Sequence, residues 1–325
     1  MKILVTGGAG YIGSITAQQL VKKGHQVVIY DSLENGHKEA VQGLDLVIGE
    51  TQSLKFLIKV IKEKKIEAVI HFAAYIEMGE SCQDPYKYFY NNVYGSLQLF
   101  KAMIENKVDK LVFSSSAGVY GNPQEVPIKE DSSKQPTNPY GESKLIVERI
   151  LNWFDQAYNF RSISLRYFNA AGAVLDGRLG EDHHPESHLI PNLIETALGE
   201  KKEFVLYGND YPTADGTCVR DYIHVLDLAS AHILALEALS KDHSTASYNL
   251  GTGKGYSNKE VITMVKKVTG KDFSVKVGSR RPGDASQLIA DPGKIKKEFS
   301  WQPQYSDLQT IIETAWKWHQ KKWEK

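Results

Sequence analysis

The sequence predicts an α/β fold, a doubly wound parallel sheet with a smaller mixed α/β lobe towards the C-terminus. Three observations predict it. Short apolar runs alternate with longer helical patterns through the first half of the chain. A glycine-rich turn joins the first run to the first helical pattern. After about residue 170 the texture changes, and Gly, Asp, His and Pro cluster over 172–191.

In order, the apolar runs are 3–5, 27–30, 46–48, 68–71, 111–114 and 162–166. They are brief and mostly β-branched, as strands covered on both faces are. Helical patterns fall near 11–23, 53–64, 85–106 and 140–158. In the third, Asp84 is a cap, Pro85 suits the first turn, and Val93, Leu97, Phe100 and Ile104 form one stripe. Beyond 170, helices near 190–199 and 227–239 flank a loop-rich 207–216, and a strand–helix pair follows at 246–269. In the last segment, TAWKWHQKKW, a final helix docks Trp316 and Trp323 on the core with its lysines in water, in preference to lying on a membrane.

Charge and composition exclude several classes. The 325 residues carry 39 Lys plus Arg against 39 Asp plus Glu, so nothing favours a nucleic-acid or membrane-surface partner. Apolar residues make up 42%, enough for a packed core. Cys82 and Cys218 form neither a disulfide framework nor a metal-ligand spacing. The N-terminus reads directly as a strand, and no apolar run is long enough to cross a bilayer. A cytoplasmic protein is the expectation.

The turn TGGAGYIG at 6–13 spaces Gly7, Gly10 and Gly13 three apart, after a strand and before a helix. Glycines there permit a tight turn and close backbone approach to a pyrophosphate, which the helix N-terminus attracts. Asp31 ends the next strand, where a carboxylate accepts both ribose hydroxyls of adenosine and repels a 2′-phosphate. Ser32 follows rather than an arginine, so NAD is preferred over NADP. A Rossmann-type dinucleotide site is the expectation.

Tyr140 and Lys144 stand four apart near the start of a helical pattern, on one face and about 6 Å apart along its axis. A free tyrosine, with a pKa near ~10, is a poor base. An ammonium beside it, with a cationic nicotinamide, would favour the phenolate. FSSSAGVYG at 113–121 ends a predicted strand, and Ser116 there can hydrogen-bond a substrate oxygen and pass its proton towards the tyrosine. Ser114 and Ser115 also suit a role as loop caps.

Together, the glycine turn, Asp31, the serine strand end and Tyr140-x-x-x-Lys144 resemble the extended short-chain dehydrogenase/reductases. HFAA at 71–74, GES at 79–81, NNVYG at 91–95, SSSAGVYG at 114–121, YGESK at 140–144 and RYFNAAGA at 166–173 resemble the UDP-glucose 4-epimerase family within them. So do GED at 180–182, HLIP at 188–191, GTCVRDYIHVLDLA at 216–229 and RPGD at 281–284. The resemblance implies an NAD-dependent isomerase acting on a UDP-hexose. Tyr140, with Lys144 and Ser116, removes the proton of the sugar 4-hydroxyl; the 4-keto sugar turns; hydride returns to its other face. UDP-glucose and UDP-galactose are thereby interconverted.

The resemblance also assigns residues. Gly7, Gly10, Tyr11, Ile12 and Gly13 lie against NAD at the turn, and Asp31, Ser32 and Asn35 at the ribose. Phe72, Ala73, Ala74 and Asn91 border it, with Ser114, Tyr140, Lys144 and Tyr167 at the reacting end; Asn91 and Asn92 also suit ordinary helix positions. On the sugar nucleotide, Arg220 and Arg281 match pyrophosphate arginines and Asp284 a ribose contact. Arg220 could instead pair with Asp221. Ser116, Tyr140, Asn169, His188 and Leu189 complete the substrate set. A dinucleotide-binding lobe of 1–170 plus about 219–245, and a UDP-sugar lobe of 171–218 and 246–325, follow, as does a homodimer built through the helices near 85–106 and 140–158.

No metal is assigned: His183, His184 and His188 fall in the family's substrate loop. Three departures stand out: Glu50-Thr51 near the adenine, Ser187 before HLIP, and Leu288 where some members carry a tyrosine closing the sugar pocket. The smaller Leu288 suggests room for an N-acetyl group. Sister activities fit less well. Ala117-Gly118 stands where a dehydratase needs an Asp-Glu pair and a decarboxylase a glutamate. A UDP-glucuronate 4-epimerase and a non-catalytic NAD-sensing regulator remain as alternatives.

Overall fold

The computed structural model of the chain describes residues 1–281 and 283–321. Trp323 and the proline of RPGD lie outside the described residues. In chain order the first half holds β1 (Lys2–Thr6), α1 (Tyr11–Lys22), β2 (Gln26–Asp31), β3 (Asp45–Ile48), α2 (Leu54–Lys64) and β4 (Ala68–His71). It continues with α3 (Met78–Gln83), α4 (Pro85–Tyr88), α5 (Gly95–Glu105), β5 (Lys110–Ser116), α6 (Pro139–Tyr158) and β6 (Arg161–Tyr167). Then come β7 (Asn169–Ala171), α7 (Leu189–Ala197), β8 (Phe204–Tyr207), β9 (Val219–His224), α8 (Val225–Leu239) and β10 (Ala246–Leu250). The chain closes with β11 (Gly255–Ser257), α9 (Asn258–Thr269), β12 (Val275–Gly278), β13 (Gln287–Leu288), α10 (Gly293–Phe299) and α11 (Leu308–Lys321).

Seven described strands form one parallel sheet in the order β10-β6-β5-β4-β1-β2-β3. The six apolar runs read as strands in the first half are all in it. Their side chains alternate between two faces, both covered except at the β3 edge, where Ile48 is 53% exposed. Ile3 and Val5 pack with Ala17 and Leu20 of α1 and Leu228 and Leu236 of α8. Leu4, Val28 and Val69 pack with Leu57 of α2, Leu99 of α5 and Val147 of α6. The strand order reverses at β1, between β2 and β4, which is where open α/β sheets leave a crevice outside the carboxyl ends. Register places Thr6 beside Tyr30 and His71, and Ser116 beside Tyr167, along that one edge.

A smaller layer lies beside it. β9 is central to a four-stranded sheet with β7, β11 and β13, while β8 pairs with β12. α7, α9 and α11 share a third apolar cluster that includes Ile194, Val265 and Ile312. Two placements differ from the sequence reading. β10, expected in the smaller lobe, extends the large sheet, because its buried Tyr248 and Leu250 join the first core. β9, in the stretch 219–245 expected with the dinucleotide-binding lobe, sits in the smaller sheet and hands the chain to α8.

The stretch 85–106 also differs. Asp84 caps as expected, its carboxylate accepting from the Lys87 amide at 3.0 Å. Residues Phe89–Tyr94 then form a π-turn. An inserted residue rotates everything after it. Ser96, Leu99, Phe100 and Met103 therefore face the core, while Val93, Leu97 and Ile104 are only half-buried. In α11 the buried tryptophan is Trp318, and Trp316 packs partly exposed on the third cluster.

Candidate active site

The turn after β1 is shaped by sterics. Gly7 has φ +67, and a Cβ on it would come within 2.5 Å of the Ala73 amide nitrogen. A Cβ on Gly13 would lie 2.2 Å from the Gly7 carbonyl oxygen. Gly10 differs: a Cβ there would meet only the Gly7 oxygen, at 3.4 Å. Its open side is the N-terminus of α1, a cradle with free N–H groups that fits a pyrophosphate. Ile12 packs half-buried beneath it. Tyr11 is spent on structure, its hydroxyl donating to the Gly172 carbonyl at 2.6 Å.

Asp31 stands at the end of β2, as the ribose role needs, with part of its capacity already used. One oxygen accepts from the Ala9 amide at 2.9 Å and the other from Leu33 at 2.8 Å. Each carboxylate oxygen has a second lone pair for a ribose hydroxyl. Burial raises its pKa despite those bonds. Ser32 and Asn35 line the exposed loop that follows. Phe72 and Ala73 leave β4 with their amides bound to the Thr6 carbonyl, at 2.9 and 3.1 Å. The half-buried Ala74 continues this strand-end segment. His71 sits behind the edge, between Thr6 and Ser96, with burial holding its pKa down to about 3.

Asn92, rather than Asn91, is the buried asparagine. It exchanges bonds with the Tyr75 backbone at 2.9 and 3.0 Å and donates to Ser143 of α6 at 3.1 Å. Asn91 accepts from Gln52 at 2.8 Å. Ser114 shares a 2.5 Å hydrogen bond with Tyr167 across the β5–β6 edge, so both hydroxyls are mutually engaged. Ser115 donates to Glu148 below the edge.

The reacting group assembles where β5 ends and α6 begins. Asn138 caps α6 through the Gly141 amide at 2.9 Å and Pro139 opens the first turn, which aims Tyr140 at the β5 edge. Tyr140 and Lys144 are both buried there. Lys144 donates to the Ser114 carbonyl at 2.8 Å, and its Nζ lies 5.9 Å from the centre of the Tyr140 ring. Burial lowers the Lys144 pKa to about 7. Burial also pushes the Tyr140 phenol above its ordinary value, a hydrogen bond with Ser116 opposes this, and Glu77 adds to the rise. The sequence reading had an ammonium and a cationic nicotinamide together favour the phenolate; in this structure the ammonium is turned to the Ser114 carbonyl, and burial is the larger influence on both groups.

Across the edge lies the smaller sheet. Arg220 donates to the Ala285 carbonyl at 2.8 Å, and its other nitrogen is 3.8 Å from Asp284. It does not pair with Asp221, which is bound instead by the Thr252, Gly253 and Ala290 amides. The Arg281 guanidinium stacks over Tyr207 at 4.2 Å. Asp284 borders a cleft of about 280 Å³ with Tyr211, Arg280 and Gln287. Leu288 pairs with Arg220 across β13–β9 and packs on the Ala117–Val119 cluster. Asn169 opens β7, half-buried. His188 stands at the N-cap position of α7, its ring 3.0 and 2.9 Å from Glu181 and Glu186, and Leu189 begins the helix behind it.

The sequence profile of the NAD-dependent epimerase/dehydratase family matches residues 3–251. The chain belongs to that family. Among its relatives, the UDP-glucose 4-epimerase of Lacticaseibacillus casei is 48% identical over 321 residues, covering 98% of this chain and 97% of that one. The crystal structure of UDP-glucose 4-epimerase from Brucella ovis in complex with NAD superposes with a TM-score of 0.95 at 45% identity, covering 97% of each chain. That of the Bifidobacterium longum enzyme in complex with NAD+ and UDP gives 0.93 at 38%, covering 99% of this chain and 98% of that one. The family's doubly wound fold is the one described above. Sequence reasoning missed Glu77, which acts on Tyr140, and the Arg280–Asp210 pair at 2.7 Å beside the cleft. It also missed Glu148, although its spacing four beyond Lys144 was a legible signal.

Proposed function

We propose that this protein is an NAD-dependent 4-epimerase that interconverts UDP-glucose and UDP-galactose. The observation that carries the reading is the meeting of Tyr140, Lys144 and Ser116 at the carboxyl edge of a sheet whose first turn is a dinucleotide cradle. Gly10 and Asp31 would hold NAD along that edge, where it would supply the acceptor and donor of the C4 hydride. Tyr140 accepts the proton of the 4-hydroxyl directly or through Ser116, and gives it back on return. Lys144, fixed on the Ser114 carbonyl, supplies positive charge beside the phenol, and Ser116 favours its ionised form. The shielded pocket that lifts the phenol's pKa also makes each such charge count for more than in water.

The same reaction needs a firm grip on the nucleotide and a loose one on the hexose. Arg220, Arg281 and Asp284 are proposed for the UDP, the two guanidiniums on the diphosphate. Asn169 and Leu288 are proposed for the sugar side. In this division the large sheet with α8 holds NAD and the smaller layer holds UDP-sugar. Dehydration is disfavoured because Ala117 is buried in an apolar cluster where an acid would be needed. We place the protein in the cytoplasm, supported by two free cysteines, Cys82 exposed and Cys218 buried. No helix among the described residues is long and apolar enough to cross a membrane. A homodimer is part of the proposal.

The test is a product assay on UDP conjugates of glucose, galactose, their N-acetyl forms and glucuronate. Galactose and glucose conjugates are expected to interconvert, with the N-acetyl pair accepted if Leu288 leaves room. Tyr140→Phe is expected to lose about 10²- to 10⁴-fold in kcat while UDP-glucose affinity persists. Undiminished turnover in that variant overturns the mechanism.

A further inference from the structure

The loop that precedes α7 reads GEDHHPESHLIP, and the reaction above gives no part to Glu181, His183 or Glu186 in it. The fold brings four of its side chains to one point. Glu181 Oε1 lies 3.3 Å from His183 Nδ1 and 3.0 Å from His188 Nδ1. Glu186 places Oε1 2.9 Å from His188 Nδ1 and Oε2 3.9 Å from His183 Nδ1. One donor atom from each of the four residues falls within 4.8 Å of all the others. Zinc bonds of about 2.0–2.2 Å in a tetrahedron set ligand atoms about 3.3–3.6 Å apart, so these separations bracket that edge, and the longest donor pairs would close by small side-chain shifts. The two carboxylates are 7% and 3% exposed, and His183 Nδ1 is buried with no hydrogen-bond partner of acceptable geometry among the described residues. Two buried carboxylates need positive charge beside them, from protonated rings or from a bound cation that the two imidazoles would ligate.

We propose that Glu181, His183, Glu186 and His188 form a closed tetrahedral site for a divalent transition metal of the zinc class. Two imidazole nitrogens and two carboxylate oxygens suit zinc, and four protein ligands leave no open position for chemistry, so the ion is structural. It reverses the expectation that these histidines hold no metal. Its place in the fold gives it a task. The Glu181 carbonyl accepts from Trp318 of α11 at 2.7 Å. Ser187, inside the loop, donates to Glu77 at 3.0 Å, and Glu77 acts on Tyr140. The ion thus pins the loop between α11 and the segment facing the reacting phenol, without touching either ligand.

The test reads metal, not activity. Protein grown with added zinc and passed through gel filtration is measured by plasma mass spectrometry, and about one zinc per chain is expected. His183→Gln combined with Glu186→Gln is expected to lose affinity by more than the roughly 10- to 100-fold that outer-shell changes cost. Stripped wild-type protein titrated with cobalt(II) is expected to show the strong visible absorption of tetrahedral coordination, displaced by zinc. Added zinc is expected to raise its Tm. Wild-type protein that retains no metal and shows no cobalt band overturns the proposal, leaving a network of protonated histidines and carboxylates. So does a double variant that holds zinc as well as the wild type. The cobalt titration on the wild type decides the matter even if the variant does not fold.

Discussion

At the scale of single residues, the three glycines of the first turn do different work. Gly13 is demanded by the fold, since any Cβ would sit 2.2 Å from the Gly7 carbonyl. Gly10 has no such neighbour, so its need for hydrogen comes from what lies against it. Gly13→Ala is therefore expected to lower Tm as well as NAD content. Gly10→Ala should leave the Tm of the dinucleotide-free protein unchanged within a degree or two while releasing NAD, as measured by the dinucleotide recovered on denaturation. A stable Gly10→Ala protein that keeps its full NAD content would show that the cradle is not where the pyrophosphate lies. The same scale explains the pKa of Tyr140. Spacing in a sequence shows that two groups share a helix face, but not which way each points. Lys144 is four residues on as expected, yet its ammonium serves the Ser114 carbonyl, and burial decides the direction for both.

At the scale of elements, α6 carries more than the catalytic pair. Tyr140, Lys144 and Glu148 follow at intervals of four, and Glu148 binds Arg166 of β6 through bonds of 2.6 to 3.2 Å while accepting from Ser115 of β5. Arg166 also reaches Tyr120, which donates to Asn249 of β10 at 2.7 Å. One buried network thus ties the helix to three strands. Replacing Glu148 by Gln leaves the Arg166 charge buried without its partner, and about 3–5 kcal/mol of stability should be lost. Urea denaturation at neutral pH measures it, and a loss below about 1 kcal/mol would mean the pair is not sequestered. Much at this scale was legible beforehand. Strands covered on both faces must be short apolar runs, so β1 to β6 could be read from hydrophobicity alone, and a capped helix start such as Asp84-Pro85 names itself. The π-turn at Phe89–Tyr94 could not be read, because one extra residue per turn leaves no compositional trace, and every later face shifts with it. The choice between Trp316 and Trp318, two apart on α11, turns on a phase that only packing sets. The partners of His188 come from a loop of irregular backbone, for which no periodicity exists to be read.

At the scale of the whole molecule, the same π-turn leaves a surface that a monomer does not explain. Tyr86, Tyr90 and Tyr94 recur at intervals of four and stack with ring centres 5.8 and 5.2 Å apart. They are 75%, 45% and 41% exposed. α4 packs against α6, whose Trp153 and Tyr158 are 67% and 58% exposed, so five exposed aromatics lie on neighbouring helical segments. A fully exposed aromatic buries about 150–250 Å² when covered, and the exposed parts of these five supply a large share of the ~800 Å² per partner that a stable interface needs. Stacked, two-torsion aromatics lose little entropy on docking. A twofold axis would set this face against its own copy, each partner presenting the same helices. Trp153→Glu with Tyr90→Lys puts charge at that contact, and should convert a species of twice the chain mass into one of chain mass by light scattering. The Tyr140–Lys144 cluster lies on the inward side of α6, so the separated chains should keep their fold by circular dichroism and bind NAD. A wild-type protein that is monomeric at micromolar concentration, or a charged variant that stays dimeric, would mean that this aromatic face is not the one the two copies share.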